Sequence, residues 1–157
     1  MMELDAYHEA GHAYIATRLG GRVVSVSIEP DADEGPRRSG ETLVRWSRKL
    51  SDREVCERAV QVALAGPAAE MLYSGDPYHP GLIAEWAQDW QTALQQSVQL
   101  WPQERVQIAH LERISLELYR LLDAEPHWSA VAALADHLLA HETLEGSEVR
   151  DIVREWV

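Results

Sequence analysis

Two histidines four positions apart, inside a run of helix formers, constrain this chain more tightly than any other feature. Leu4 to Leu19 is rich in residues that favour a helix and stops at Gly20-Gly21, a pair suited to ending one. Within it lies Ala6-Tyr7-His8-Glu9-Ala10-Gly11-His12-Ala13, which contains the pattern His-Glu-x-x-His. Four residues make about one helical turn, so His8 and His12 leave the same face and can converge on one ion. Neutral imidazole nitrogen is a good zinc ligand, and Glu9, next to the first histidine, can reach a water at the ion rather than the ion itself. Zinc lowers the pKa of such a water toward ~7, and the carboxylate then takes its proton as the water attacks a carbonyl. Gly11 is unfavourable inside a helix by about 1 kcal/mol relative to alanine, so its presence points to close packing there.

The chain has a single cysteine, Cys56. An internal disulfide and a finger-type cysteine zinc site are therefore both excluded, and any metal must be held by histidine and carboxylate. Cys56 falls in a helical pattern as a small core residue. A formal net charge of -12 on 157 residues would be repelled by phosphate backbones and by anionic membrane surfaces. Neither nucleic acid nor a membrane is expected as a partner. No segment approaches the ~18–20 uninterrupted apolar residues of a membrane span. Met1 to Asp5 lacks the positive and apolar regions of a secretory signal, so a soluble, cytoplasmic protein is expected.

At this length the chain has the size of one domain with its own core. No internal repeat, low-complexity tract or linker divides it, and a single domain over residues 1–157 is expected. Arg22 to Ile28 carries β-branched residues in partial alternation and reads as a strand. Glu29 to Ser39 reads as a loop, and Gly40 to Trp46 as a second strand pairing with the first. Ser51-Asp52-Arg53-Glu54 matches a capping box that opens a helix toward Ala65. Gly66-Pro67 is expected to interrupt or kink that helix before it continues to Tyr73. Ser74 to Gly81 reads as a turn-rich connection. Helices follow over Leu82 to Leu100, Pro102 to Asp123, Pro126 to Glu142 and Ser147 to Trp156. The expected fold is mostly α, with a small β-sheet inserted after the first helix.

Three segments in order carry a family resemblance: Tyr7 to His12, then Leu64-Ala65-Gly66-Pro67-Ala68-Ala69-Glu70, then Gln88-Asp89-Trp90-Gln91-Thr92-Ala93. With two strands between the first and second, they resemble the zincin-like peptidase domain of the FtsH-type ATP-dependent zinc metalloproteases. The similarity runs over most of the chain and includes the closing helices around His141-Glu142-Thr143-Leu144. The first motif is shared by many zinc peptidases, whereas the order of all three is far more specific.

From the residues alone the third metal ligand stays open among Glu70, Asp76, His79, Glu85 and Asp89, with Glu85 and Asp89 on one helical face. The resemblance implies Asp89. It also matches Glu70 to an acidic position that can orient a zinc-bound histidine. The other histidines, His79, His110, His127, His137 and His141, show no paired ligand spacing with comparable context. The second strand matches the place where the family binds substrate along a sheet edge, where an extended peptide adds as a further strand. Trp86, Trp90 and Trp101 cluster near Asp89 as core or interface anchors, and Trp90 is a candidate wall of a hydrophobic substrate pocket.

The implied activity is that of a metalloendopeptidase acting on peptides or unfolded protein. His8, His12 and Asp89 would hold Zn2+, and Glu9 would act as base and then proton donor. An oligomer is implied as well. No GxxxxGK[ST] phosphate loop occurs, so ATP-driven unfolding is not expected of this chain alone and would need a separate ATPase partner. Pro67 stands where the family has arginine, and Gln88 where it has asparagine. Two other readings are a peptidase-like adaptor that binds peptides without cleaving them, and a metal-free helical interaction domain.

Overall fold

The computed structural model describes residues 2–29, 40–75 and 84–157. Among these, the elements run α1 (Met2–Arg18), β1 (Arg22–Ser27), β2 (Glu41–Arg45), α2 (Asp52–Ser74), α3 (Ala84–Ser97), α4 (Glu104–Asp123), α5 (His127–His141), β3 (Thr143–Glu145) and α6 (Gly146–Trp156). The chain is mostly helical, with a small three-stranded antiparallel sheet in the order β2-β1-β3. Most of the expected loop over Glu29–Ser39 lies outside the described residues. So do the connection beyond Gly75 and the expected helix start at Leu82.

α1 is the hub. Ala6 and the unbroken run from Glu9 to Ala16 are buried, because α2, α5 and the sheet cover the helix on several sides. This is why its sequence shows no apolar stripe: a helix surrounded by protein needs none. Its closest neighbour is α2, and Gly11 marks the approach. A methyl group there would lie 2.6 Å from the Ala65 carbonyl oxygen and 2.7 Å from the Ala69 Cβ. Small residues facing each other let two helix backbones come together. On the α5 side, the buried Tyr14 hydroxyl lies 2.5 Å from His127 Nδ1.

α2 opens with the expected capping box. The Glu54 amide donates to Ser51 Oγ at 3.1 Å, and the Ser51 amide donates to Glu54 Oε1 at 3.0 Å. It closes on Gly75 with φ 74°, the left-handed conformation that glycine adopts freely. The expected break at Gly66-Pro67 does not occur, and α2 runs as one helix from Asp52 to Ser74. Proline removes one hydrogen-bond donor, but Leu64 to Met71 is buried throughout, and that packing outweighs the local loss.

β1 and β2 pair antiparallel, as expected, with Val23 opposite Val44 and Val26 opposite Thr42. The register shifts between Val23 and Ser25, so Val24 is the extra residue of a bulge. Val23 and Val26 can then both face the core, three positions apart, which is why the alternation in the sequence is only partial. The third strand was not expected. Thr143–Glu145 pairs with the far side of β1, entered through Glu142 at φ 64°. Three residues are too few for an alternating pattern to register, and the expected helix end at Glu142 is this cap.

Candidate metal centre

His8 and His12 leave α1 one turn apart and face α3, as their spacing requires. Asp89 on α3 reaches them both. His8 Nε2 donates to Asp89 Oδ2 at 2.7 Å, and His12 Nε2 lies 3.5 Å from Asp89 Oδ1. One ligand atom from each of the three residues falls within 4.8 Å of the others. Among the described residues this is the group of histidine and acidic side chains close enough to share one ion. Of the other candidates for the third position, Asp76 and His79 lie outside the described residues, as does the side chain of Glu85. Glu70, buried on α2, stands on the opposite side of His8, with its Oε2 4.0 Å from His8 Nδ1.

The surroundings fix the orientation of each histidine. His12 Nδ1 donates to the Val62 carbonyl at 2.6 Å, which directs Nε2 into the centre. The two rings stand nearly perpendicular, at 79°, with centroids 4.8 Å apart. Gly66 on α2 supplies the floor. A methyl group at that position would meet His12 Cε1 at 2.5 Å and His8 Nε2 at 2.8 Å, so only a bare backbone lets both nitrogens point inward.

Electrostatics bind the group together when no ion is present. Burial works to lower the pKa of the His12 imidazole, but the Asp89 carboxylate, Glu9 and the Val62 carbonyl outweigh it and raise it to about 9. Burial likewise works to raise the Asp89 carboxyl, and the two histidines overcome it, holding that group well below the usual carboxylate range.

Glu9 stays apart from these three. It is 7% exposed, and its Oε1 accepts from the Thr42 hydroxyl at 2.8 Å. It lines a cleft of about 510 Å³ together with His8, His12 and Asp89, with β2 on one wall and α2 on the other. Apolar surface comes from Leu43, Val44 and Trp46 on the strand side and from Val62 and Ala63 on the helix side. The tryptophan of the cleft is thus Trp46. Trp90, expected as a candidate pocket wall, is instead half-buried against the hydrophobic core. The remaining described histidines are engaged elsewhere: His110 stacks on Trp101 at 4.0 Å, and the rings of His137 and His141 lie 6.1 Å apart.

Gly40, Thr42, Val62 and Gly66 were not singled out from sequence for any role in the centre. Each acts through a hydrogen bond or a missing side chain across elements distant in the chain, and no short-range spacing signals that.

No known family profile matches the chain. Among curated proteins, the L-propargylglycine–L-glutamate ligase of Streptantibioticus cattleyicolor is 34% identical over 82 residues, a stretch covering 47% of this chain and 17% of that protein. The chain thus matches less than a fifth of the length of this relative.

Proposed function

We propose that this chain is a zinc-dependent metallopeptidase, similar in fold and site to the FtsH-type peptidase domain, that hydrolyses bonds in peptides or unfolded protein. The observation that carries the reading is the meeting of His8, His12 and Asp89 around one small space, with a buried Glu9 beside it and outside the triad. Two imidazole nitrogens and a carboxylate oxygen are a zinc donor set, and three protein ligands leave a coordination position open for chemistry. The bare backbone at Gly66 and the fixed tautomer of His12 suit those donors to a metal.

When bound, zinc supplies a Lewis acid that polarises a carbonyl and makes water acidic enough to ionise near neutral pH. Glu9 takes a proton from the attacking water as the new C–O bond forms. It returns that proton to the amine nitrogen as the C–N bond breaks, so peptide and water become a carboxylate and an amine. β2 lies at one edge of the sheet, and an extended peptide can add to it through backbone hydrogen bonds that tolerate many side chains. The partial match to a ligase takes in too little of that protein to bring ligation to this chain.

The test is zinc content measured beside cleavage of fluorescein-labelled casein, for the wild type and Glu9→Gln. One zinc per chain is expected in both, with cleavage falling by roughly 10²–10⁴-fold in the variant, the usual contribution of a general base. Zinc without cleavage in the wild type would leave the adaptor reading, and absence of zinc would leave the metal-free interaction domain.

A further inference from the structure

The carboxylate of Glu9 does not hang freely in the cleft. Its Oε1 accepts from Thr42 Oγ1 at 2.8 Å, and the same hydroxyl lies 3.4 Å from the Glu9 carbonyl oxygen. A single side chain on β2 thus meets both the backbone and the carboxylate of one residue on α1. Gly40, two residues earlier on the same stretch, closes the other side. A methyl group at Gly40 would lie 2.7 Å from Glu9 Cγ and 2.9 Å from Glu9 Oε2.

A glutamate side chain has three rotatable bonds, and a base that must receive a proton at one point and release it at another gains from having them fixed. A hydroxyl that donates to one carboxylate oxygen locks the plane of the group. It also leaves the second oxygen, Oε2, on the side of Gly40. With Oε1 held by Thr42, Oε2 is the oxygen left for proton transfer, and the missing side chain at Gly40 gives it room.

We propose that Thr42 is the positioning residue of the general base, holding Glu9 through its hydroxyl so that Oε2 meets the attacking water, with Gly40 keeping that oxygen clear. This rests on the peptidase reading above. Thr42 acts through Glu9, by the hydrogen bond to Oε1, and is a positioning residue. The proposal also gives β2 two duties: its edge can receive a peptide, and its inward side chain orients the group that cleaves it.

The test compares Thr42→Val, Thr42→Ser and Glu9→Gln. Valine keeps the shape and the strand preference of threonine and removes only the hydroxyl. Zinc-loaded Thr42→Val is expected to lose kcat on fluorescein-labelled casein by on the order of tenfold or more, with KM and zinc content unchanged, as for one charge-assisted hydrogen bond. Thr42→Ser keeps the hydroxyl and is expected to recover kcat to within about threefold of the wild type. A KM change with constant kcat would assign Thr42 to peptide docking and overturn the proposal, as would loss of kcat equally in the serine variant.

A second readout needs no catalysis. In the metal-free protein, unfolding midpoints of Thr42→Val, Glu9→Met (which, unlike glutamine, leaves no oxygen to accept the Thr42 hydroxyl) and the double variant form a cycle, and the two changes are expected to be non-additive. An additive cycle overturns the Thr42 contact whatever the activity. A non-additive cycle in a wild type that binds zinc but cleaves nothing overturns the peptidase reading and, with it, the catalytic part of the proposal.

Discussion

At the scale of single residues, the centre depends as much on what is missing as on what is present. Gly66→Ala adds one methyl group against His12 and His8. Alanine is the better helix former by about 1 kcal/mol, so the helix should remain while the site closes. The expected outcome is an unchanged far-UV circular dichroism spectrum with zinc stoichiometry well below one per chain.

The protonation of His12 and Asp89 gives a second prediction. His12 titrates at 6.5 in an unfolded chain and near 9 in the folded, metal-free protein, so its contribution is fully present below pH 6.5 and lost as pH rises toward 9. Asp89 is shifted downward, so its contribution is present above its ordinary value of 3.8 and lost as pH falls below that. Denaturant unfolding of the metal-free protein should show this pair's support between about pH 4 and 6.5, with a decline above that disappearing in His12→Gln. Zinc affinity should rise over the same alkaline range, because binding must displace the proton.

His8, Glu9 and His12 were legible because one helical turn separates them. Asp89 came from family resemblance, since spacing alone left several acids and a histidine open. Thr42 and Gly66 had no local signal at all: the first lies 33 residues from its partner, and the second matters for a side chain it lacks.

At the scale of elements, the decisive contact is α1 against α2, and Gly11 is where α1 meets the α2 backbone. Gly11→Ala places a methyl group against the Ala65 carbonyl, which is backbone and cannot rotate away. Overpacking of this kind costs about 1–3 kcal/mol, seen as a lower denaturant midpoint with unchanged slope. By contrast, Ser51→Ala at the start of α2 should cost about 1 kcal/mol through loss of the cap alone, without altering zinc binding. The helices were read well from sequence because capping, glycine stops and propensity are local properties. The errors lie where tertiary packing wins. Pro67 sits inside a continuous helix because its neighbours are buried, and β3 exists only because β1 offers it an edge.

At the scale of the whole molecule, the three proposed ligands join the first helix to the third, elements whose main packing is through α2 and, for α3, also α4. A bound ion would therefore cross-link parts of the fold far apart in sequence. With free zinc at about 1,000 times its dissociation constant, the folded state should gain about 4 kcal/mol over the metal-free protein. In a chain of 157 residues each kcal/mol moves the melting temperature by roughly 2–4 °C, so chelation should lower it measurably in calorimetry.

The strand that pairs on both sides ties the hairpin after α1 to the segment between α5 and α6. β1 carries the cleft-lining β2 on one flank and is sealed on the other by three residues near the carboxyl terminus. Truncation before Thr143 would strip that seal and leave a central ribbon with its backbone amides and carbonyls open to any passing chain. Such a shortened protein is expected to self-associate through that exposed flank, visible as concentration-dependent growth in light scattering.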